Sequence, residues 1–200
     1  MARNTYVIGA QCTGKSTLVN ALDGHVKATD PTPPAIIKEV ARTVLQRYNY
    51  SADDIRASPD RALQLQKLIL EAQHEAESQH KGNLFISDRS GIDPVVYARI
   101  FVGEEAARDM MASQTWRDVE HNMRSARILV CEPVPAWLHD DGVRLMPTDI
   151  DELNSLHQSF CQLLQELGMD FTVAPKEMTD INERVKLALD QVATSMMSKA

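Results

Sequence analysis

The chain has 200 residues, 44% of them hydrophobic and 24% charged, the make-up of a soluble globular protein with room for a substantial core. Its formal net charge is −7 with acids and bases interspersed, which excludes the basic face of a general nucleic-acid binder. No apolar run is long enough to span a membrane, and three widely spaced cysteines without a C-x-x-C pair read as reduced thiols of a cytoplasmic protein, so neither a nucleic-acid polymer nor a membrane is expected as partner.

Thr5-Tyr6-Val7-Ile8, β-branched and aromatic, reads as a strand. Gly9-Ala10-Gln11-Cys12-Thr13-Gly14-Lys15-Ser16-Thr17 follows and fits G-x-x-x-x-G-K-[ST], the Walker A phosphate loop. Gly9 and Gly14 free the backbone to turn successive N–H groups toward phosphate oxygens. Lys15 adds a point charge for the β- and γ-phosphates, and Ser16 a hydroxyl for Mg²⁺. Cys12 reads as a tolerated small loop residue. The helix after the loop, from Ser16 to Leu22, is expected to end near Gly24.

Residues 25–35, with Asp30-Pro31-Thr32-Pro33-Pro34, read as an extended loop. Ala35 to Lys38 is a strand candidate and Glu39 to Tyr48 a helix, followed by a short helical piece after Ser51. Glu39 is placed to accept a hydrogen bond from an acceptor hydroxyl, to act as general base, or simply to cap a solvated first turn; Arg42 is placed to hold an anionic group. Pro59 to His80 reads as a long helix with Leu63, Leu65, Leu68, Ile69 and Ala72 on its apolar stripe.

Leu84 to Ser87 is a buried strand that leads to Asp88-Arg89-Ser90. Asp88 is in position to hold Mg²⁺, directly or through water, or to accept a substrate proton. Arg89 stands where a hydrolytic motor places a glutamate; it does not deprotonate, and instead clamps a phosphate or substrate oxygen or forms a salt bridge. Helices are expected over 92–101 and 104–124, with Asp93 and Tyr97 lining an acceptor pocket. Arg127 to Cys131 is the next strand, and Pro133 and Pro135 break the chain after it. A loop then holds Asp140, Asp141, Gly142 and Arg144, and an arginine on such a loop can close over a triphosphate as charge develops. Asp149 or Asp151 caps a helix to Leu167, Asp170 to Ala174 is the last strand, and Thr179 caps a final helix carrying Ile181, Val185 and Leu189 on one face.

Strands alternating with helices predict an α/β fold: one domain over 1–200, a mainly parallel five-stranded sheet in a three-layer αβα sandwich. Ligands of such sheets sit at the carboxyl ends of the strands. The phosphate loop, Glu39, Asp88-Arg89 and the 132–148 lid region are therefore expected on one rim. Asp88-Arg89-Ser90-Gly91 also satisfies D-x-x-G, but nothing downstream matches N-K-x-D, so a GTPase-like switch or a regulatory nucleotide-binding module stands as the alternative.

Taken in order, residues 9–17, the Glu39…Arg42 pair, Asp88-Arg89-Ser90 and Asp141-Gly142-Val143-Arg144 resemble the small P-loop kinases that include the ribosylnicotinamide kinase, or NadR-like, domain, sometimes labelled an AAA-type domain. The Asp-Arg-Ser step is similar to the acid-Arg-Ser motif of deoxyribonucleoside kinases. The resemblance implies a nucleoside-monophosphate-kinase-like P-loop NTPase core using ATP and Mg²⁺ on a small-molecule acceptor. It implies Lys15, Ser16 and Asp88 at the phosphates, Arg144 in a lid, and Glu39 and Arg42 near the acceptor. The plausible ring stackers in the chain are Tyr48, Tyr50, Tyr97 and Trp116.

Overall fold

The computed structural model describes residues 3–138 and 149–194. Its strands are β1 (Thr5–Ile8), β2 (Ala35–Ile37), β3 (Phe85–Asp88), β4 (Arg127–Cys131) and β5 (Thr172–Ala174). They form one sheet in the order β2-β3-β1-β4-β5, parallel at every pairing. This is the expected α/β P-loop architecture. The chain leaves β1 toward β2 on one side and reaches β4 on the other, so the strand order reverses at β1. The phosphate loop therefore opens at the topological switch point, where α/β sheets bind ligands.

Helices cover both faces: α1 (Lys15–Thr29), α2 (Val40–Arg47), α3 (Ala52–Ala57), α4 (Pro59–Ser78), α5 (Ile92–Phe101), α6 (Glu104–Met111), α7 (Gln114–Arg124), α8 (Ile150–Glu166) and α9 (Ile181–Thr194). The two-residue period of the strands divides the core. Tyr6, Ile8, Ile128 and Val130 face one layer with Trp116, Val119, Leu156 and Phe160 of α7 and α8. Val7, Ile86, Leu129 and Cys131 face the other with Leu18, Leu22 and Val26 of α1 and Val185 and Ala188 of α9. Strands buried on both faces explain why these segments read as continuous apolar runs rather than alternating ones.

Three expectations are corrected. The first helix does not stop at Gly24 but runs to Thr29, into the stretch read as loop. A solvent-facing glycine costs a helix about 1 kcal/mol, and here Val26, 3% exposed, continues the buried face of Leu18, Val19 and Leu22 beyond it. The helix expected over 104–124 is two helices. Ser113 is extended, its Oγ donates to the carbonyl of Met110 (2.7 Å) and accepts from the N–H of Trp116 (3.1 Å), which ends α6 and caps α7. The last helix is capped by Asp180, whose Oδ1 accepts from the N–H groups of Asn182 and Glu183, rather than by Thr179. At α8 the choice between two aspartates resolves to Asp149, which accepts from the N–H of Glu152 at 2.8 Å.

Candidate active site

Gly9 has φ 131°, and a Cβ there would stand 2.6 Å from the carbonyl oxygen of Cys131, so the turn out of β1 admits only glycine. Gly14, at φ 79°, is the N-cap of α1 and supplies no side-chain cap, which leaves the first N–H groups of the helix for an anion. Inside the loop Thr13 Oγ1 donates to the carbonyl of Ala10 at 3.1 Å. Lys15 Nζ donates to the same carbonyl and to Thr13 Oγ1. Burial, and then the charge of Arg89, lower the Lys15 ammonium to about 8, against the pull of Asp88.

Ser16 Oγ donates to Asp88 Oδ2 at 2.5 Å, joining the start of α1 to the end of β3. Asp88 is 4% exposed and its other oxygen, Oδ1, has no hydrogen-bond partner among the described residues. A buried orphan oxygen beside a hydroxyl is a hard donor set that fits Mg²⁺, an ion that takes one or two protein oxygens and fills its octahedron with water and phosphate. Among the described residues no group of three or more His, Cys, Asp or Glu is gathered that would cage a metal alone.

Arg89 adopts φ 85°, a left-handed conformation that costs a non-glycine residue about 1–3 kcal/mol and persists only where its surroundings hold it. They do. Its backbone N–H donates to the carbonyl of Val7 at 3.0 Å, Nε donates to Glu39 Oε1 at 2.6 Å, and Nη1 donates to Asp93 Oδ1 at 3.0 Å. Asp93 is itself fixed by the N–H (2.8 Å) and Oγ (3.1 Å) of Ser90. Burial pushes the Asp93 carboxyl up against the pull of Arg89, whereas for Glu39 the charges of Arg89 and Lys15 overcome burial and hold the carboxyl at about 2.

Two cavities meet at this cluster. A cleft of about 400 Å³ is lined by Cys12 to Thr17, Glu39, Arg89, Trp137, Thr179, Ile181 and Arg184. A second of about 70 Å³, walled by Leu45, Ile55, Leu65 and Ile69, is closed by Gln11, Asp93 and Tyr97, and it too contains Glu39 and Arg89. Tyr97 Oη donates to Gln11 Oε1 at 2.5 Å, and burial pushes this phenol up to about 12, so it stays a donor.

The structure thus brings together Lys15, Ser16, Asp88, Arg89, Glu39, Asp93 and Tyr97. Arg42 pairs with Glu39 Oε2 at 3.0 Å but lines neither cavity. Of the ring stackers only Tyr97 lines either of these two cavities: Trp116 is in the core, Tyr48 is exposed beside Arg47 and borders a separate cavity between α2 and α4, and Tyr50 lies under Arg61. Asp140, Asp141, Gly142 and Arg144, with the 139–148 part of the expected lid, lie outside the described residues. Gly91 of the D-x-x-G match has a packing reason, since a Cβ there would meet Val119 Cγ1 at 2.6 Å. Sequence reasoning missed Trp137 and Arg184. Trp137 carried a signal, an aromatic just past the carboxyl end of β4; Arg184, in the first turns of α9, carried none.

A family model described as an AAA domain matches residues 4–184. Among solved structures, NadR protein in complex with NR is similar at 21% identity and TM-score 0.69, over 94% of this chain and 51% of that one. NadR protein in complex with NAD and AMP-PNP is similar at 18% identity and TM-score 0.68, over 94% and 49%. The deoxyadenosine kinase from M. mycoides, with products dCMP and a flexible dCDP bound, is similar at 14% identity and TM-score 0.65, over 94% and 98%. The chain therefore spans about half the length of the NadR chains, and at these identities the likeness is one of fold. No curated protein matches the chain.

Proposed function

The chain belongs to the AAA domain family, and on that premise we propose that it is a kinase that moves the γ-phosphoryl group of ATP, with Mg²⁺, to a small acceptor of the nucleoside class. The observation that carries this reading is the shared wall. A hydrolase needs one cavity for the nucleotide; here the phosphate-loop cleft abuts a second, apolar-sided cavity, and Glu39 and Arg89 belong to both. An apolar wall with a few converging polar groups is the make-up of a small-molecule site; at about 70 Å³ the second cavity would take one end of the acceptor, with the rest in the shared cleft. The NadR and deoxyadenosine kinase likenesses support a nucleoside-like acceptor through fold alone.

Each residue then has a role. Backbone N–H groups of the loop and Lys15 hold the donor phosphates, and Ser16 and Asp88 hold the metal. Bound Mg²⁺ would neutralise charge on the phosphate oxygens. Phosphoryl transfer has a loose transition state, so positioning and charge do most of the work. Arg89, held rigidly between Glu39 and Asp93, offers its guanidinium where charge spreads over the transferring group. Glu39, ionised throughout the physiological range, is a poor proton store. It serves instead to accept a hydrogen bond from the acceptor hydroxyl and to aim Arg89. Tyr97 and Asp93 border the acceptor, and Arg42 steadies Glu39. The 200 residues act as one domain in the cytoplasm; no helix among the described residues is long and apolar enough to cross a membrane.

The test is incubation with Mg·ATP or Mg·GTP and a panel of nucleosides, nucleotides and small alcohols, read by mass spectrometry. The reading expects an acceptor heavier by one phosphoryl group. ADP or GDP released with every acceptor unchanged would replace it with a hydrolase or switch.

A further inference from the structure

Arg184 is 1% exposed, yet it forms no ion pair among the described residues. Its Nε donates to the carbonyl of Met178 at 2.6 Å and its Nη1 to the carbonyl of Thr13, within the phosphate loop, at 2.8 Å. Its Nη2 is buried with no hydrogen-bond partner among the described residues. A buried cation without a carboxylate, close to the N-terminal ends of both α9 and α1, stands in a field already positive. The indole of Trp137 covers it, with the guanidinium carbon 4.7 Å from the ring centroid. The same ring lies over the loop, since a Cβ on Gly14 would come 2.8 Å from Trp137 Cζ3. Trp137 is only partly buried and is the one aromatic among the described residues that line the donor cleft, whose neighbouring wall is Thr179 and Ile181.

We propose that Trp137, supported from behind by Arg184, is the platform on which the base of the donor nucleotide stacks, and that Arg184 ties this platform to the phosphate loop through the Thr13 carbonyl. The inference rests on the nucleotide-donor reading above and goes beyond it by assigning the base subsite. A planar base gains by stacking on an aromatic face, and stacking is the recognition that such a wall offers. The rigid link from Arg184 to Thr13 fixes the distance between the base and the phosphates, which orients the transferring end.

The experiment compares ATP with tripolyphosphate, which has the phosphates and no base, by titration calorimetry in Mg²⁺ on wild type, Trp137→Ala and Trp137→Phe. Thermal melts report folding. The expected result is an ATP Kd raised about tenfold or more in Trp137→Ala and largely rescued in Trp137→Phe, with tripolyphosphate Kd within about twofold throughout. In wild type, ATP and not tripolyphosphate should also change the tryptophan emission; Trp137→Phe, left with the core residue Trp116, should lose that change. An unchanged ATP Kd in Trp137→Ala, or an equal loss for both ligands, overturns the platform while leaving the donor reading intact. Failure of wild type to bind ATP at all overturns both.

Discussion

The Nε–H of Arg89 points at Oε1 of Glu39 from 2.6 Å, across the wall that the two cavities share. The pair is one-tenth exposed on both sides, so water screens it little, and Asp93 completes it from the opposite end of the guanidinium. Replacing Glu39 by glutamine keeps the shape and removes the charge that aims Arg89. Turnover should fall by about 100-fold or more and stability by about 1–3 kcal/mol. The pair's contribution to stability is fully present above the usual 4.5 and is lost as pH falls toward about 2, so acid melts of wild type and Glu39→Gln should converge there. Near-normal kcat in Glu39→Gln would show that the pair is structural.

Asp88 and Ser16 meet at 2.5 Å, and the unpartnered Oδ1 of Asp88 is the oxygen left for a metal or its water. Asp88→Asn should raise the Mg²⁺ concentration for half-maximal rate and lower the saturated rate by about 100-fold or more, with an unchanged circular dichroism spectrum. An unaltered Mg²⁺ profile would remove Asp88 from the metal site.

Lys15 is held at about 8 by burial and by Arg89. A triphosphate placed against it favours the charged form, so nucleotide binding should take up a proton, and affinity should decline as pH rises above about 8. Calorimetry at pH 8.5 in buffers of different ionisation enthalpy reads this directly. Buffer-independent heats and a flat affinity from pH 7.5 to 9.5 would contradict the arrangement.

Away from the site, Glu77 is 2% exposed and accepts hydrogen bonds from Asn122 and Gln73, and Gln73 also donates to Ser87, the residue before Asp88. Burial pushes its carboxyl above the usual 4.5, more than those hydrogen bonds pull it down. A raised folded value means that this residue's contribution to stability is fully present below 4.5 and is lost as pH rises through the folded value. Glu77→Gln should therefore gain in Tm relative to wild type between pH 4 and pH 8. A difference in Tm that stays constant over that range would argue against a buried ionising group.

Much of this was legible from residue order, and the remainder was hidden for identifiable reasons. The strands announce themselves because burial on both faces demands unbroken apolar runs, and the phosphate loop because Gly9 and Gly14 stand where a Cβ would strike Cys131 and Trp137. Asp88 and Arg89 followed from their place after a strand. What local pattern could not carry was tertiary. Gly24 looks like a helix stop until the burial of Val26 is known, and Ser113 splits a helix only because its hydroxyl finds two backbone partners. The Arg184 link to Thr13 joins residues 171 positions apart, and no window of sequence contains it.

The central claim is that donor and acceptor occupy adjoining cavities and react across Arg89. Its most direct measurement is the initial rate of ADP formation with Mg·ATP and acceptor both varied, alongside the yield of phosphorylated acceptor. The expected result is intersecting rate lines, one phosphorylated acceptor for each ADP, and little ADP formation without acceptor. ADP formed at the same rate whether or not any acceptor is present would contradict it.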